Sequence, residues 1–393
     1  MRSLFHWLDQ AAVLTRFSLS SLPERKGAAA AAVFGIAGVV AVLVGMLSIA
    51  QGFRRAMTTG GSPAAALVMR SGADTEMTSI MSKEETRIIA NAPGVVAASS
   101  ELYVSLELPK RSTGTDANVP LRGVEAPAYR IRRGWRLCQG RRFEPGRNEV
   151  MVGAGAAAEF RGLEVGARLD VNGQFWTIVG LFSDEGGLAE SEIWADTSML
   201  QAAFDRGTSF QAVHVKLNSA DDFGAFQGAL GADPRLNIKV VRESDYYAEQ
   251  SRTVTNLITT LGTLVAALMG VGAVFGALNT MYSAVASRAR EIATLRALGF
   301  SGGAVVLSVL AESMALALLG GSAGGLVAWL MFDGYRAATM NMQSFSQVAF
   351  SFAVTPMLLA RGVACAAIIG FFGGLFPALR AARQPIAPAL RSL

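Results

Sequence analysis

Ser287-Arg-Ala-Arg-Glu-Ile-Ala-Thr-Leu-Arg-Ala-Leu-Gly-Phe-Ser301 is a short charged stretch between two apolar runs, each long enough to cross a membrane. Its residues favour a helix. Because the connection is so short, it must cap both spanning helices on one side of a bilayer. We therefore expect that a protein contacting this stretch pushes on two spanning helices at once.

The composition of the chain predicts an integral membrane protein. Of its 393 residues, 51% are hydrophobic and only 17% are charged, and the mean hydropathy is positive. The formal net charge of +5 would suit an anionic partner, but many basic residues flank the apolar runs, as the positive-inside rule requires. Because no RNA-recognition or zinc-finger signature occurs in the sequence, we do not expect nucleic acid as a partner.

Four apolar runs predict four transmembrane helices, at residues 27–50, 253–282, 303–332 and 358–377. The first run is too long for a cleaved signal peptide, so we interpret it as an uncleaved span. Before it, residues 1–26 have a pattern typical of a cytoplasmic or interfacial helix, or of a plain pre-membrane helix. The other parts are a polar block at 51–252, a coupling segment at 283–302, a linker at 333–357 and a tail at 378–393.

The polar block at 51–252 predicts a large α+β domain outside the bilayer, between the first and second spans. Residues 84–90 favour a helix, and residues 102–108, 212–217 and 238–241 favour strands. The dipeptide Asn172-Gly173 predicts a tight hairpin turn between two further strands. A block of this length is large enough to bury its own core.

The distribution of basic residues predicts the orientation of the spans. Three flanks are basic, and their residues are Arg16, Arg25 and Lys26, then Arg288, Arg290 and Arg296, then Arg380, Arg383 and Arg391. These flanks belong on the cytoplasmic side of the inner (plasma) membrane, so both termini are predicted to be cytoplasmic. Arg54 and Arg55 argue the other way, but they open a long domain, and long domains translocate largely regardless of charge. The domain at 51–252 and the linker are then extracytoplasmic.

The sequence offers no constellation for catalysis, a metal or a bound cofactor. Cys138 and Cys365 lie in different environments and are not expected to pair, and His6 and His214 are far apart in sequence. A nucleotide-binding P-loop needs a lysine between Gly and Ser or Thr. None of the lysines meets this requirement, and they are Lys26, Lys83, Lys110, Lys216 and Lys239. We therefore predict a non-catalytic chain.

Two features lie inside the predicted spans. Glu312 is an acid near the middle of the third apolar run, where a charge costs on the order of 3 kcal/mol, so it should face protein or water. It is interpreted either as a proton or substrate contact or as an interhelical hydrogen-bonding group. Small residues four apart allow close helix packing, within one chain or between two copies. The glycines with this spacing include Gly272 and Gly276 in the second span and Gly320 and Gly324 in the third.

The basic stretch between Arg130 and Arg142 is interleaved with Trp135. It is interpreted as a solvated face, with an acidic ligand or lipid head groups as the alternative. Around the stretch at 287–301, Val285, Ala289 and Ile292 align on one helix face, with arginines close to the same stripe. Such a helix suits a protein socket better than a lipid surface.

The layout and these residues resemble the MacB/FtsX-like permease family, the type VII or mechanotransmission group of ABC transporters. The run Arg290-Glu-Ile-Ala-Thr-Leu-Arg-Ala-Leu-Gly299 is similar to the family's cytoplasmic coupling segment, and the tail that begins at Pro377 is similar to its closing motif. The stretches Gly140-Arg-Arg-Phe143 and Glu149-Val-Met-Val-Gly153 look like parts of the family's periplasmic core domain. The resemblance covers nearly the whole chain and is most specific in the C-terminal half.

The resemblance implies a four-span subunit that forms a homo- or heterodimer and seats its coupling segment on a separate ABC ATPase, which binds the ATP. The implied coupling residues are Arg288, Arg290, Glu291, Ile292, Leu295, Arg296 and Gly299. Membrane lipid and a periplasmic adaptor (membrane fusion) protein are further implied partners. The substrate, such as a lipid, lipoprotein, peptide or drug, is left open. The alternative function is an FtsX-like scaffold that activates an extracytoplasmic cell-wall hydrolase.

Overall fold

The computed structural model describes residues 10, 12–16, 26–59, 61–132, 134–341 and 346–385. The chain divides into two units. A helical unit contains residues 1–49, 257–333 and 353–393, and a sheet unit contains residues 50–256 and 334–352. Most of the predicted N-terminal helix at 1–26 and the end of the predicted tail at 378–393 lie outside the described residues. Within the first of these segments, residues 12–16 are helical.

The helices, in chain order, are α1 Lys26–Thr59, α2 Lys83–Ala90, α3 Ala128–Ile131, α4 Ala154–Glu159, α5 Thr197–Ala203, α6 Phe223–Gly231, α7 Glu243–Ser287, α8 Ala289–Ala297, α9 Gly302–Phe332 and α10 Pro356–Arg383. Short 3-10 turns cover Glu76–Thr78 and Leu188–Ser191.

The strands are β1 Ala65–Arg70, β2 Val95–Pro109, β3 Asp116–Val124, β4 Trp135–Gly140, β5 Glu149–Gly153, β6 Arg168–Val171, β7 Gln174–Asp184, β8 Ile193–Asp196, β9 Ala212–Leu217, β10 Ile238–Arg242, β11 Arg336–Asn341 and β12 Ser346–Ser351.

Among the described residues, four helices are long and apolar enough to cross a membrane, namely α1, α7, α9 and α10. This confirms the predicted class of a four-helix membrane protein with a mixed α/β domain between its first two spans. Each helix contains one predicted span and extends beyond it; α7, for example, begins at Glu243 rather than at residue 253. Hydropathy locates the part of a helix that crosses lipid, whereas the helix itself continues into polar sequence.

Close packing in the helical unit depends on small residues. Ser313 of α9 donates a hydrogen bond from Oγ to the carbonyl oxygen of Gly370 in α10, at 2.7 Å. A Cβ atom built on Gly374 would lie 2.6 Å from the Cβ of Ser313, so only glycine fits there. The two helices therefore approach at their backbones, as expected where lipid provides no hydrophobic drive for association.

The sheet unit is built on one mixed sheet with the strand order β10-β1-β9-β2-β3-β8-β5-β7-β4, and β6 pairs with β7. β3 with β8 and β5 with β7 are parallel, and the other neighbours are antiparallel. The predicted hairpin is confirmed, since β6 and β7 are joined by Asn172 and Gly173 with φ of 52° and 81°. Both values are positive, as a two-residue hairpin turn of this type requires.

Apolar side chains fill the core of the sheet unit in three clusters. One cluster lies between β2, β3, β5 and β7 and is closed by α4 and α5, with Trp176 fully buried. A second lies between β1, β9 and β10 and is covered by α2 and α6. A third contains Phe182 and Trp194, whose ring centroids are 4.4 Å apart. Together they provide the independent core that the length of the block predicts.

Residues 333–357, which the sequence predicts as a linker, contain the hairpin β11–β12. The hairpin belongs to the sheet unit, where Ser191 Oγ accepts a hydrogen bond from the amide of Ala349 at 2.9 Å. Ser346 Oγ lies 3.1 Å from the hydroxyl of Tyr103 in β2. These polar contacts are made by residues far apart in sequence, so the short polar strands could not be recognised from their pattern alone.

Candidate coupling site

The sequence of the short helix α8 places suitable residues at both of its ends. The preceding helix α7 stops at Ser287, and Arg288, with φ of −105°, takes the N-cap position of α8. Glu291 lies in the first turn and Arg296 in the last, so each charge opposes the partial charge of the helix end beside it. The resulting short helix carries most of the residues assigned to coupling by the resemblance.

Gly299 ends α8 in a way that only glycine allows without strain. Its φ is +98°, and its amide donates to the carbonyl oxygen of Arg296 at 3.1 Å. The amide of Phe300 donates to the carbonyl oxygen of Leu295, also at 3.1 Å, which completes a Schellman motif. Ser301 then caps α9, since its Oγ accepts from the amide of Ala304 at 3.2 Å. The sequence Leu-Gly-Phe-Ser is therefore a helix stop followed at once by a helix start.

The coupling residues divide between two faces of α8. Ile292 is buried in an apolar cluster with Met281 and Val285 of α7 and Val305 and Val309 of α9, and Leu295 packs against this cluster. The opposite face carries exposed residues. They are Arg290, Glu291, Leu298 and Gly299, and Leu298 is 73% exposed. Sequence reasoning did not select Leu298.

Arg288, at the start of α8, contacts Glu312 of α9. Arg288 Nη1 donates to Glu312 Oε2 at 3.4 Å, and both side chains are buried. The contact is of the hydrogen-bonding kind that was one of the two interpretations of Glu312, and an arginine of the coupling segment is a partner. A small cavity of about 40 Å³ lies beside the pair, and its lining includes Ser308 of α9 and Leu14. It has room for a water molecule.

The end of α10 also contacts the coupling segment. Arg296 Nη1 donates to the carbonyl oxygen of Gln384, at the end of α10, at 2.9 Å. The segment is therefore tied to α9 through Arg288 and to the end of α10 through Arg296.

The four glycines predicted to pack helices do not behave alike. A Cβ atom built on Gly320 would lie 2.9 Å from the carbonyl oxygen of Val33 in α1, and one built on Gly324 would clash with the backbone of Ala37. These glycines serve packing within the chain. A Cβ on Gly272 or Gly276 would meet no atom within 4 Å among the described residues. The small-residue face of α7 is open.

A buried charge network in the sheet unit was missed by sequence reasoning. Its hub is Arg122 of β3, whose guanidinium pairs with Glu76 at 2.6 Å, Glu101 at 3.0 Å and Glu192 at 2.8 Å. Arg122 is 1% exposed. The sequence does contain one signal of a buried ion pair, a single charged residue inside the apolar strand Val-Pro-Leu-Arg-Gly-Val. The neighbouring residues do not show which acidic residues pair with it.

Three further residues extend the network around Arg122. Arg132 donates to both carboxylate oxygens of Glu101, at 2.9 and 2.8 Å. His214 of β9 lies 3.5 Å from Glu101 and 3.1 Å from Glu243, the first residue of α7. The network therefore joins strands, a 3-10 turn and the start of α7, all within the sheet unit.

The electrostatics of the network favour its charged forms. Burial raises the pKa of Glu101, but the neighbouring Arg132, His214 and Arg122 outweigh it and lower the value to about 2. Burial lowers the pKa of His214, but Glu101, Glu243 and Glu76 raise it to about 9. Asp184 behaves differently, because burial raises its pKa to about 7. At neutral pH His214 is thus cationic, and Asp184 is the group closest to its titration point.

The stretch from Arg130 to Arg142 is not one solvated face. Arg132 is 6% exposed and belongs to the network, whereas Arg136 is exposed. The guanidinium of Arg142 lies 4.5 Å from the ring centroid of Tyr129 and 4.7 Å from that of Trp135. The prediction of a solvated face was therefore wrong for Arg132, because its charge is matched by buried Glu101. Arg133 lies outside the described residues.

Among the residues that the structure describes, no group of three or more His, Cys, Asp or Glu side chains is placed to hold a metal ion. Cys138 and Cys365 are free, the first exposed and the second half-buried.

Two family models match the chain. A MacB-like periplasmic core domain matches residues 29–232, and an FtsX-like permease C-terminal domain matches residues 263–386. The first covers α1 and nearly all of the sheet unit up to α6. The second covers α8, α9 and α10 together with the membrane part of α7.

The chain is also similar to curated relatives and to solved structures. The chain is 28% identical over 232 residues to the uncharacterized ABC transporter permease YknZ of Bacillus subtilis, which covers 56% of this chain and 55% of the relative. It is 23% identical over 403 residues to the macrolide export ATP-binding/permease protein MacB of Bdellovibrio bacteriovorus, which covers 94% and 60%. The crystal structure of the extracellular domain of YknZ from Gram-positive bacteria aligns at 18% identity with a TM-score of 0.36, covering 45% of this chain and 99% of that domain.

The chain spans 60% or less of the length of these two curated relatives, so a relative's whole activity does not transfer with the match. The two family models nevertheless account for most of the chain, on both sides of the boundary between its units. The four spanning helices and the intervening mixed α/β domain have the order that these models require. The chain therefore belongs to the MacB/FtsX-like permease family of ABC transporters.

Proposed function

We propose that this chain is the membrane-spanning subunit of an ABC transporter, driven by a separate ATPase subunit that binds α8. The exposed face of α8 carries the proposal. Arg290 and Glu291 supply charges there, and Leu298 supplies a large apolar side chain that is 73% exposed at the end of the helix. Protein interfaces centre on apolar anchors that sit in a pocket of the partner and have polar groups around them.

The proposed topology places α8 in the cytoplasm. The basic residues before α1, in the coupling segment and at the end of α10 all lie on the side that the positive-inside rule assigns to the cytoplasm. Both termini are then cytoplasmic, the sheet unit is extracytoplasmic, and the chain resides in the inner (plasma) membrane. An ATPase subunit in the cytoplasm would have direct access to Leu298.

The proposed transmission uses the contacts of the coupling segment. When the ATPase closes on ATP, α8 moves, and α7 moves with it because only Arg288 separates the two helices. The Arg288–Glu312 pair carries the movement to α9, and the Arg296 contact carries it to the end of α10. Glu312 is in this view a coupling group, and transport of a proton is not required.

A second permease copy is proposed to cover the open face of α7. Only 17% of the most apolar window of α7 is buried, against 44% for the other three spanning helices. Its exposed side chains include Leu264, Leu268 and Phe275, next to Gly272 and Gly276. Small residues beside large ones suit close helix pairing in lipid.

The substrate is proposed to be a lipid, lipoprotein, peptide or drug that is exported or extracted through movement of the sheet unit. Two of the relatives carry macrolide export and pyoverdine export in their names. A periplasmic adaptor is a further proposed partner on the sheet unit. Neither the substrate nor the adaptor is needed for the test of the coupling site.

The test is purification of the tagged chain from its native membrane in mild detergent, followed by an ATPase assay of the eluate. We expect an ABC ATPase to be recovered. Leu298→Asp should lower the recovered ATPase about tenfold or more, because it removes an interface anchor. Phe175→Asp is the matched control, since Phe175 is 67% exposed but lies in the sheet unit.

Two results would contradict the proposal. One is a clean preparation of the chain without any ATPase; the other is equal recovery from the Leu298 and Phe175 variants. Recovery of a cell-wall hydrolase on the sheet unit, together with an ATPase, would instead favour the scaffold function.

A further inference from the structure

The start of α7 has an unusual buried face. Its buried side chains repeat at helical spacing, but they are polar or aromatic rather than aliphatic. They are Glu243, Tyr246, Tyr247, Gln250 and Ser251, all less than 9% exposed. Asp245 and Glu249, on the other side of the same turns, are exposed. The first two turns of the helix are thus attached by specific hydrogen-bonding groups.

Three of these groups contact two other elements of the sheet unit. Glu243 Oε1 lies 3.1 Å from His214 Nδ1 in β9. The amide of Glu76 donates to the hydroxyl of Tyr246 at 3.0 Å, and the hydroxyl of Tyr247 donates to Glu76 Oε1 at 3.3 Å. The contacts are therefore spread over two turns of α7, which fixes both its rotation and its height on the sheet.

A fourth contact brings the hairpin β11–β12 to the same helix. Asn341 Nδ2, at the end of β11, donates to Gln250 Oε1 at 3.1 Å. Gln250 is one turn beyond Tyr246 and Tyr247. The segment 334–352 follows α9 in the chain, so the joint gathers two separate passages of the polypeptide into one structure.

The contacts of α7 end on the buried network and not on isolated surface groups. Glu76 is a direct partner of Arg122, and His214 lies 3.5 Å from Glu101, which Arg122 also binds. Moving α7 off the sheet would strip buried ionised groups of their partners, which is far more costly than sliding two apolar surfaces. A satisfied polar network of this kind holds one geometry.

We propose that this face of α7 is a rigid joint, and that Glu243, Tyr246 and Tyr247 are positioning residues that make the sheet unit move with α7. The inference rests on the proposed function, because the movement is supplied by the ATPase at α8. Its added content is the location of the attachment. The sheet unit follows α7 through the Arg122 network, and when that network is weakened the same movement of α7 produces a smaller movement of the sheet unit.

The experiment measures movement of the sheet unit in the full chain with its ATPase, in lipid nanodiscs. A Cys365→Ala background leaves Cys138, exposed on β4, as the single labelling site. Pulsed electron spin resonance then gives the distance between the two Cys138 labels of a dimer, with and without ATP trapped by vanadate. ATP hydrolysis is measured on the same samples.

The decisive variant is Glu243→Gln, and the matched control is Glu249→Gln, the same change on the exposed face of the same helix. We expect ATP to change the label distance in the parent chain and in the control. In Glu243→Gln, ATP hydrolysis should continue while the change in label distance falls about twofold or more. A loss of stability alone would lower the melting temperature of the variant but leave the ATP-driven change in place below that temperature.

Each outcome decides one point. Absence of an ATP-driven change in the parent chain contradicts the proposed function. A change in the parent chain that is equally large in Glu243→Gln overturns the joint while the proposed function stands. Should Glu243→Gln fail to fold, Tyr247→Phe replaces it with the same two readings, since it removes only the hydroxyl that binds Glu76.

Discussion

Replacement of Arg122 by methionine is the sharpest perturbation of the sheet unit. Methionine fills much of the same volume but removes the charge that faces Glu76, Glu101 and Glu192. These carboxylates are 5% exposed or less, so they cannot regain water without opening the sheet. The variant must either bury uncompensated charge or take up protons.

The expected magnitude follows from the burial of the pairs. Removing one partner of a buried ion pair destabilises a protein by about 3–5 kcal/mol. For a folded unit of this size, each kcal/mol lowers the melting temperature by about 2–4 °C. We therefore expect Arg122→Met to lower the melting temperature of the sheet unit by about 6–20 °C.

The assay is thermal unfolding of the full chain in detergent, followed by tryptophan fluorescence. Trp176 and Trp194 are fully buried in the sheet unit and report its unfolding. The matched control is Arg147→Met. Its pair with Glu144 is 2.9 Å long, but the side chains are 62% and 52% exposed, so little change is expected.

The dependence on pH separates a charge effect from a packing effect. Without Arg122, the pKa of Glu76 and Glu101 should rise, and protonation at acidic pH should recover part of the lost stability. A shift of the melting temperature no larger than that of the Arg147 control would refute the network as a stabilising structure. A large shift that is the same at acidic and neutral pH would refute the electrostatic explanation.

Other variants test the remaining contacts, and each is followed by thermal unfolding of the full chain unless stated. Because the folded pKa of His214 is raised to about 9, the stabilisation by its charged form is complete below its ordinary value of 6.5 and should be lost as pH rises through 9. The folded pKa of Asp184 is likewise raised, to about 7, so the free energy of unfolding should decrease as pH rises through 7. Asp184→Asn should abolish this decrease. Gly324→Leu should destabilise the chain by about 1–3 kcal/mol or more through overpacking against α1. Gly272→Leu should leave folding intact and should weaken dimer formation, which is measured by chemical crosslinking. Glu312→Leu should cost about 3–5 kcal/mol because Arg288 loses its buried partner; an unchanged melting temperature would show that the pair is dispensable for folding.

Local patterns in the sequence were sufficient for the elements that depend on local chemistry. The four spans follow from apolar length, and the turn at Asn172 and Gly173 follows from residues that tolerate positive φ. The end of α8 is equally local, because Gly299 and Ser301 form a helix stop and a helix start within three residues. In each case the physical cause lies within a few residues of its effect.

The elements that were missed depend on partners distant in sequence. Arg122 meets Glu192 and Glu76 at separations of 70 and 46 residues, and a lone charge in a strand does not reveal its partner. The hairpin β11–β12 is polar and short, and its contacts with Ser191 and Tyr103 come from the other end of the sheet unit's sequence. The predicted coupling residues include both buried and exposed side chains, because burial depends on contacts with helices that are distant in sequence. The resemblance implied Leu295, which is half-buried, and did not include Leu298, which is exposed.

The ionic contacts of α7 lie at the two ends of the helix. At its first residue, Glu243 is held by His214, and immediately after its last residue Arg288 is held by Glu312. Between these ionic contacts its apolar window is largely exposed, so few side chains interlock along its length. Directional contacts therefore hold the two ends of this 45-residue helix, and its middle is left to contact lipid or another chain. For the same reason, a substitution on the open middle of α7 should affect association with lipid or a second copy, whereas a substitution at either end should affect the transfer of motion.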